Sequence, residues 1–191
     1  MTEKEKAAAG LLYDPNHDRE LRAELTYCKG LCAEYNALPP SDFEKRRILI
    51  RKLLGRTKGD FLIEQPFHCD YGYNIEIGEN FYANLNLVIL DTSKVIFGDN
   101  VFIAPNCGFY CAGHPLDIER RNKGLEYTRP ITVGNNVWIG GNVGVMPGVA
   151  IGDGSVIAAG SIVIRDIPSG VVAAGNPCVV KRKITGQDAL R

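Results

Sequence analysis

A six-residue period in aliphatic side chains constrains the fold of this chain more than any other feature. One series of that period is Val133, Ile139, Val145, Ile151, Ile157 and Val163, and a second, two positions ahead, is Ile131, Val137, Val143 and Val149. Upstream, the same spacing relates Ile75, Phe81 and Leu87 and, shifted by two residues, Phe97, Ile103 and Phe109. Neither an α-helix nor a simple alternating strand has this period, but stacked short strands joined by tight turns produce it.

The turns between these strands need residues that tolerate unusual backbone angles. Glycine, asparagine and aspartate recur at the expected places, in Gly78-Glu79-Asn80, Gly98-Asp99-Asn100, Gly134-Asn135-Asn136 and Gly152-Asp153-Gly154. Glycine accepts positive φ without strain, and asparagine and aspartate adopt it more readily than other residues. The pattern therefore predicts a parallel β-helix. Because such a coil leaves its ends and part of its flanks uncovered, we expect helices to cap it and copies of the chain to associate.

The N-terminal third has a helical pattern instead. Residues 16–38 carry one apolar stripe, formed by Leu21, Leu25, Cys28, Cys32 and Tyr35. A second helix is predicted to begin at a capping box of Ser41 and Glu44, to stop at Gly55 and to present its charged residues to solvent. We therefore expect a helical subdomain over residues 1–60 and a β-helix over residues 61–191, with an excursion loop at 111–130 and a C-terminal cap.

Charge and cysteine content limit the possible functions. Lys and Arg together number 22, as do Asp and Glu, so no basic excess favours nucleic acid or a membrane surface as a partner. The sequence contains neither a signal peptide nor a run long enough to span a membrane, and we expect a cytoplasmic protein. Its six cysteines are then expected to be reduced, without disulfides.

A polar stretch, CAGHPLDIERRNKGLEYTRP, interrupts the repeat and presents His114 between a glycine and a proline. An imidazole titrates near neutral pH, so it can take a proton from a hydroxyl group as that group attacks. A loop histidine held by local hydrogen bonds is the simpler reading of these residues alone. Cys107 and Cys111 precede it and suggest a thiol nucleophile or a zinc site, although cysteine in a short strand is more often a small apolar filler.

Several motifs together resemble a known family. They are DYGYNIEIGENFYANLN, IAPNCGFYCAGHP and PITVGNNVWIGGNVGVMPGVAIGDGSVIAAGSIVIRDIPSGVVAAGNPCVV, and MTEKEKAAAGLLYDP matches at the N-terminus. The sequence resembles the hexapeptide-repeat acetyltransferases, and among them the maltose and galactoside O-acetyltransferase branch. This resemblance implies a left-handed parallel β-helix, acetyl-CoA as co-substrate, no metal, and a homotrimer with active sites between subunits.

The resemblance also implies roles for individual residues. His114 matches the catalytic base, and Glu126 stands where it would orient the imidazole. The positions that match the acceptor site are Asp14, Asp70, Tyr82, Asn84 and Asp91, and Asn84 would also donate to the oxyanion. Those that match the coenzyme A site are Trp138, Gly141, Ala159, Arg165, Lys181, Arg182 and Lys183. Relatives differ at Asp70, Thr92 and Val179, where some carry Ser, Asp and a basic residue.

The function implied is transfer of an acetyl group from acetyl-CoA to a hydroxyl of a sugar of the maltose, glucose or galactoside type. A first alternative keeps this chemistry with an antibiotic or another small hydroxyl or amino acceptor. A second is a metalloenzyme like the gamma carbonic anhydrases, which needs three histidines around zinc, and the chain has only three in all. A third is a non-catalytic scaffold.

Overall fold

A computed structural model describes residues 1–190 and confirms a mainly β fold, a parallel β-helix with an N-terminal helical region. The helices are α1 Glu3–Ala8, α2 Arg19–Ala37, α3 Phe43–Leu53 and, inside the excursion loop, α4 Ile118–Asn122. A 3₁₀ helix over Gly186–Leu190 ends the described chain. No helix within residues 1–190 is both long and apolar enough to cross a bilayer.

Three parallel sheets form the sides of the coil. Sheet I contains β1 Arg56–Thr57, β4 Ile75–Ile77, β7 Val95–Phe97, β12 Ile131–Val133 and β15 Ala150–Ile151. Sheet II contains β2 Phe61–Ile63, β5 Phe81–Ala83, β8 Phe102–Ile103, β13 Trp138–Ile139, β16 Val156–Ile157, β18 Val171–Ala174 and the antiparallel β19 Val179–Lys183. Sheet III contains β3 Phe67–Cys69, β6 Leu87–Leu90, β9 Gly108–Tyr110, β14 Gly144–Val145 and β17 Ile162–Val163. The chain visits sheets II, III and I in turn.

The six-residue period of the sequence is the spacing of the side chains that face the interior of this coil. Every residue of the four series is buried. The aromatic members meet inside the coil from different sheets at tilted and edge-on angles, with ring centroids 5.1 Å apart for Phe81 and Phe97 and 4.9 Å apart for Phe97 and Phe109. The two-residue shift has a structural cause. Where the chain passes from sheet III to sheet I the early turns are longer, so inward positions such as Leu87 and Val95 are 8 positions apart rather than six.

The turns have the predicted backbone conformation. Positive φ angles occur at Asn80, Asn100, Asn136 and Gly154, the last residues of the four predicted turns. Some of these asparagines also bridge neighbouring coils, since Nδ2 of Asn80 donates to Oδ1 of Asn100 at 3.0 Å. Asparagine at these corners thus combines a permitted αL conformation with a hydrogen bond along the coil.

Helix α2 lies against the start of the coil as its stripe predicts, with Leu21, Cys28, Cys32 and Tyr35 buried. It shares one apolar core with α3 and all three sheets. A second, small cluster joins the N-terminal segment to a corner of the coil through Ala7, Tyr13, Leu21 and Tyr71. Strand β1 pairs with β4, so residues before position 60 already belong to sheet I.

The predicted start of α3 was wrong in detail, whereas the helix stops before Gly55 as predicted. The N-cap is Asp42 rather than Ser41, and it makes no side-chain capping bond because its carboxylate pairs with Lys45 at 2.7 Å. Gly55 follows the helix for a different reason, since a Cβ there would lie 2.1 Å from the backbone oxygen of Tyr73. Not every charge faces solvent either. Arg46 is buried and donates to the carboxylate of Glu64 at 2.9 Å.

Candidate active site

Asp70, Asp91 and the loop that carries His114 share one corner of the coil. The chain passes from sheet III to sheet I through residues 70–74, then 91–94, then 111–130, and we call these segments the loop corner. Asp70 and Asp91 begin the first two segments, and the third is the excursion loop that carries His114. Successive coils therefore stack the two carboxyl groups beneath the histidine loop.

The excursion loop is ordered by its own hydrogen bonds. Strand β10, Ala112–Gly113, pairs antiparallel with β11, Tyr127–Thr128, and closes the base of the loop, while α4 shapes its tip. At the end of β10 stands His114, whose Nδ1 lies 2.9 Å from the carbonyl oxygen of Leu125. A carbonyl oxygen can only accept, so Nδ1 carries the proton and Nε2 is the basic nitrogen. The exposed imidazole is thus held in the tautomer that a general base needs.

Glu126 does not make the contact predicted for it. The carbonyl of Leu125 occupies Nδ1 of His114, while the carboxylate of Glu126 accepts a hydrogen bond from the hydroxyl of Tyr13 at 2.9 Å. The backbones of Tyr13 and Glu126 also exchange two hydrogen bonds of 3.0 Å. The N-terminal segment thereby holds the excursion loop at Glu126, the residue after the carbonyl of Leu125 that orients the imidazole.

A cleft of about 570 Å³ opens between this loop, the N-terminal segment and α2. Its lining residues are Pro15, Asn16, His17, Arg22, Leu25, Asp70, Tyr71, Thr92 and Glu126. Carboxylates, an amide, a guanidinium and a hydroxyl face one space, and this mixture suits a ligand rich in hydroxyl groups.

The two carboxyl groups of the loop corner differ in role. Asp70 lines the cleft, and burial raises its pKa to about 6. Asp91 is fully buried, and its Oδ1 accepts from the backbone N–H groups of Asp70 at 3.0 Å and Tyr71 at 2.9 Å. Burial raises the pKa of Asp91 to about 7, against the lowering effect of those hydrogen bonds. Asp91 thus holds the backbone beneath the cleft rather than facing a ligand.

Asp14 lies beside the cleft in a turn. Its Oδ1 accepts from the backbone N–H groups of Asn16 at 3.0 Å and His17 at 3.1 Å, and its carboxylate contacts Nδ1 of His17 at 2.8 Å. The side chain therefore orders the loop that carries Asn16 and His17 into the cleft wall.

The remaining predicted residues occupy a different corner. Where the chain passes from sheet II to sheet III, residues 84–86, 104–106, 140–142 and 158–160 form what we call the small-residue corner. It contains Asn84, Gly141 and Ala159. A Cβ on Gly140 would lie 2.6 Å from the backbone nitrogen of Ala159, so glycine there lets adjacent coils approach closely. Adjacent coils therefore lie close together along this edge.

An outward row on sheet II leads along this edge. Adjacent coils place Tyr82 beside Phe102 and Phe102 beside Trp138, and the row continues through Val156 and Val172 to Arg182. Trp138 is 56% exposed and offers an apolar wall. At the basic end, Arg165, Lys181 and Lys183 are exposed, whereas Arg182 already pairs with Asp188 at 2.6 Å. That pairing raises the pKa of Arg182.

The acceptor and donor residues are therefore divided within one chain. Asp70, Asp91, His114 and Glu126 belong to the loop corner, while Asn84, Tyr82 and most of the coenzyme A positions belong to the small-residue corner and sheet II. Arg165 is the exception, because it follows β17 where the chain passes from sheet III to sheet I. Sheet III lies between the corners, and a side of about six extended residues spans roughly 20 Å. One protomer does not bring the two groups together.

Two family models match separate parts of the chain, the N-terminal segment and the later repeats. Residues 6–59 match the maltose acetyltransferase hexapeptide capping motif, and residues 130–165 match the bacterial transferase hexapeptide with six repeats. The galactoside O-acetyltransferase of Escherichia coli is 52% identical over 84% of this chain and 79% of its own length. The chain belongs to the maltose and galactoside branch of the hexapeptide-repeat acetyltransferases.

Solved structures of this acetyltransferase family superimpose closely. A galactoside acetyltransferase in complex with coenzyme A has a TM-score of 0.96 and 47% identity, with 99% of this chain and 94% of that chain covered. A maltose O-acetyltransferase from Clostridium difficile has a TM-score of 0.94 and 49% identity, with 97% and 98% covered. The N-terminal helices and the coil therefore occur together in the family.

The geometry gives no support to the alternative chemistries considered from the sequence. Cys107 and Cys111 are buried in the coil, where their thiols face the carbonyls of Gly140 and Lys94, whereas His114 is exposed. Burial raises the pKa of Cys111 to about 12, which disfavours a thiolate nucleophile. Among residues 1–190, the three histidines form no ligand cluster of the kind that zinc needs in a carbonic anhydrase.

Sequence reasoning missed three contributors to the acetyltransferase site. The carbonyl of Leu125 orients His114, and a backbone atom has no signature in a sequence. Tyr13 binds Glu126 although the two are 113 positions apart in the sequence, and the only sequence signal for Tyr13 was its position next to Asp14. Thr92, which donates to or accepts from Thr128 at 2.8 Å, had been noted only as a difference from relatives.

Proposed function

We propose that this protein transfers the acetyl group of acetyl-CoA to a hydroxyl group of a sugar of the maltose, glucose or galactoside type. Family membership supports acetyl transfer, and relatives named as galactoside and maltose O-acetyltransferases support the acceptor class. The observation that carries the mechanism is the bond from Nδ1 of His114 to the carbonyl of Leu125, which leaves Nε2 as the basic atom.

The reaction follows from that tautomer. As the acceptor oxygen attacks the thioester carbonyl carbon, Nε2 of His114 takes the hydroxyl proton, and the carbonyl oxygen becomes an oxyanion. Collapse of the tetrahedral intermediate breaks the carbon–sulfur bond, and the imidazolium returns its proton to the departing thiolate. The thioester is already activated, so the chain mainly aligns the reactants and no acyl-enzyme forms.

Asn84 supplies the donor for the oxyanion in this proposal. Its amide oxygen accepts from the backbone N–H of Leu85 at 2.8 Å, so the amide is oriented with its NH₂ group as the ligand-facing end. A fixed donor aimed at developing charge contributes roughly 2.7–4 kcal/mol to transition-state stabilisation in comparable sites.

The active site is shared between subunits of a homotrimer in this proposal. The loop corner of one subunit supplies His114 and the acceptor cleft, and the neighbouring subunit supplies Asn84 and the coenzyme A edge. The division of these residues between two corners of one chain supports this arrangement, because either half is incomplete alone. We also propose that the domain limits near residue 60, the C-terminal cap and a cytoplasmic location hold as expected from the sequence.

Release of free coenzyme A from acetyl-CoA tests the proposal across maltose, glucose, galactosides, amino sugars and chloramphenicol-like alcohols. A sugar should support turnover, and His114→Ala should lower kcat by about 10²- to 10⁴-fold. His68→Ala, an exposed histidine on β3, is the matched control and should keep wild-type kcat. Turnover with a non-sugar acceptor alone would make the acceptor class wrong, and an unimpaired His114→Ala would make the base wrong.

A further inference from the structure

Three buried thiols meet between helix α2 and the coil, outside the acetyl-transfer site. Cys28 and Cys32 lie one turn apart on α2, and Cys69 ends strand β3 beneath them. The Sγ atom of Cys69 is 3.5 Å from that of Cys28 and 3.8 Å from that of Cys32, and all three lie within 4.8 Å of one another. The three side chains are almost fully buried.

These separations match those of thiolates around one metal ion. A metal–sulfur bond of ~2.3 Å with tetrahedral or trigonal angles places the sulfur atoms about 3.8–4.0 Å apart. The two distances from Cys69 need changes of only a few tenths of an ångström, and the separation of Cys28 and Cys32 lies within 4.8 Å. Cys107 is buried to a similar degree, but its thiol faces the carbonyl of Gly140 at 3.2 Å. The three thiols therefore face one another, whereas a buried cysteine elsewhere in the coil faces a backbone carbonyl.

The cluster also has an entrance. A cleft of about 360 Å³ reaches Cys32 and Cys69, and Lys29 and His68 stand on its walls. The positive charge of Lys29 at the opening offsets the negative charge that thiolates bring into a buried site.

We propose that Cys28, Cys32 and Cys69 form a three-thiolate binding site for a soft monovalent metal ion, copper(I). Soft thiolate ligands favour copper(I), zinc and iron–sulfur clusters. Structural zinc sites take four protein ligands, and the cluster within residues 1–190 offers three. The thiol protons are released to solvent as the ion binds, so affinity falls as the pH is lowered. Asp70 follows Cys69 directly, which places this site against the wall of the acceptor cleft.

Anaerobic titration of the reduced protein with copper(I), in competition with a chromogenic copper(I) chelator, tests the site without reference to acetyl transfer. We expect one ion per chain, and X-ray absorption of the complex should show three sulfur neighbours. Cys28→Ala, Cys32→Ala and Cys69→Ala should each weaken binding by more than the about 10- to 100-fold that loss of a hydrogen-bond partner of a ligand causes. Cys107→Ala, the matched control, should bind as wild type does.

Thermal unfolding of each metal-free variant separates loss of the site from loss of the fold. Copper stoichiometry and the sulfur count of the wild type test the proposal even where a variant unfolds. Wild type that yields its copper to the chelator as readily as the triple alanine variant would overturn the site. Equal weakening by Cys107→Ala, or a four-ligand complex with zinc formed in preference to copper(I), would overturn the three-thiolate assignment.

Discussion

Replacing Asp91 with asparagine should change how the stability of this protein depends on pH. The carboxyl group is fully buried, one oxygen accepts two backbone N–H groups, and the other has no partner among the described residues. Its pKa rises from 3.8 to about 7, mainly through burial, with the charge of Asp70 adding to the shift. The folded chain therefore binds this proton more tightly than the unfolded chain does.

The sign of the effect follows from that difference. Between about pH 4 and pH 7 the folded state holds a proton that the unfolded state has lost, so the free energy of unfolding falls as the pH rises. The decrease in the free energy of unfolding is complete above pH 7 and amounts to about 4 kcal/mol at 1.4 kcal/mol per pKa unit. Asparagine keeps the accepting oxygen but cannot ionise. The stability of Asp91→Asn relative to wild type should therefore rise by up to that amount from pH 4 to pH 8.

Urea unfolding at fixed protein concentration, measured at four pH values over this range, checks the prediction. Asp99→Asn is a control of opposite sign, because the bond from Lys58 at 2.7 Å lowers the pKa of Asp99, so this carboxylate contributes stability that is lost on acidification. Parallel pH profiles for wild type and Asp91→Asn would refute the reasoning.

Three further substitutions test other parts of the account. Tyr13→Phe removes the hydroxyl that binds Glu126. In steady-state assays this variant should lower kcat more than it raises the acceptor KM, and in denaturation assays its free energy of unfolding should fall by about 1.5–3 kcal/mol. Replacing the exposed Tyr27 with phenylalanine is the control and should change neither quantity. Trp138→Ala should raise the KM for acetyl-CoA in initial-rate measurements and leave the acceptor KM unchanged, and an effect confined to the acceptor would contradict its assignment. Gly30→Ala, in the middle of α2 with open space around the new Cβ, should raise stability by about 1 kcal/mol, and a lower melting temperature would contradict this.

The coil could be predicted from the sequence because its period is a direct consequence of packing. An inward residue at every sixth position is required to fill the interior, and residues such as Val133 and Ile139 are buried there. The helix stripe through Cys28 and Tyr35 is equally direct. The capping box at Ser41 failed because the neighbouring Asp42 became the N-cap and its carboxylate binds Lys45 instead of the helix backbone.

The candidate site was less predictable, for two physical reasons. The orientation of His114 depends on a backbone carbonyl, and the position of Glu126 depends on a tyrosine in the N-terminal segment, so neither follows from local sequence. A six-residue period also does not state which corner a given turn occupies. The separation of His114 from Asn84 therefore became visible only once the three sheets were assigned.

Subunit complementation tests the shared active site most directly. His114→Ala removes the proposed base, and Ala159→Trp fills the exposed coenzyme A edge at the other corner, so each homotrimer should be inactive. Unfolding and reassembling an equal mixture should restore about a quarter of the sites, those that join an intact loop corner to an intact small-residue corner. Coenzyme A release at about that level is the predicted result. A mixture as inactive as its parents, with mixed trimers demonstrated by mass spectrometry, would contradict the account.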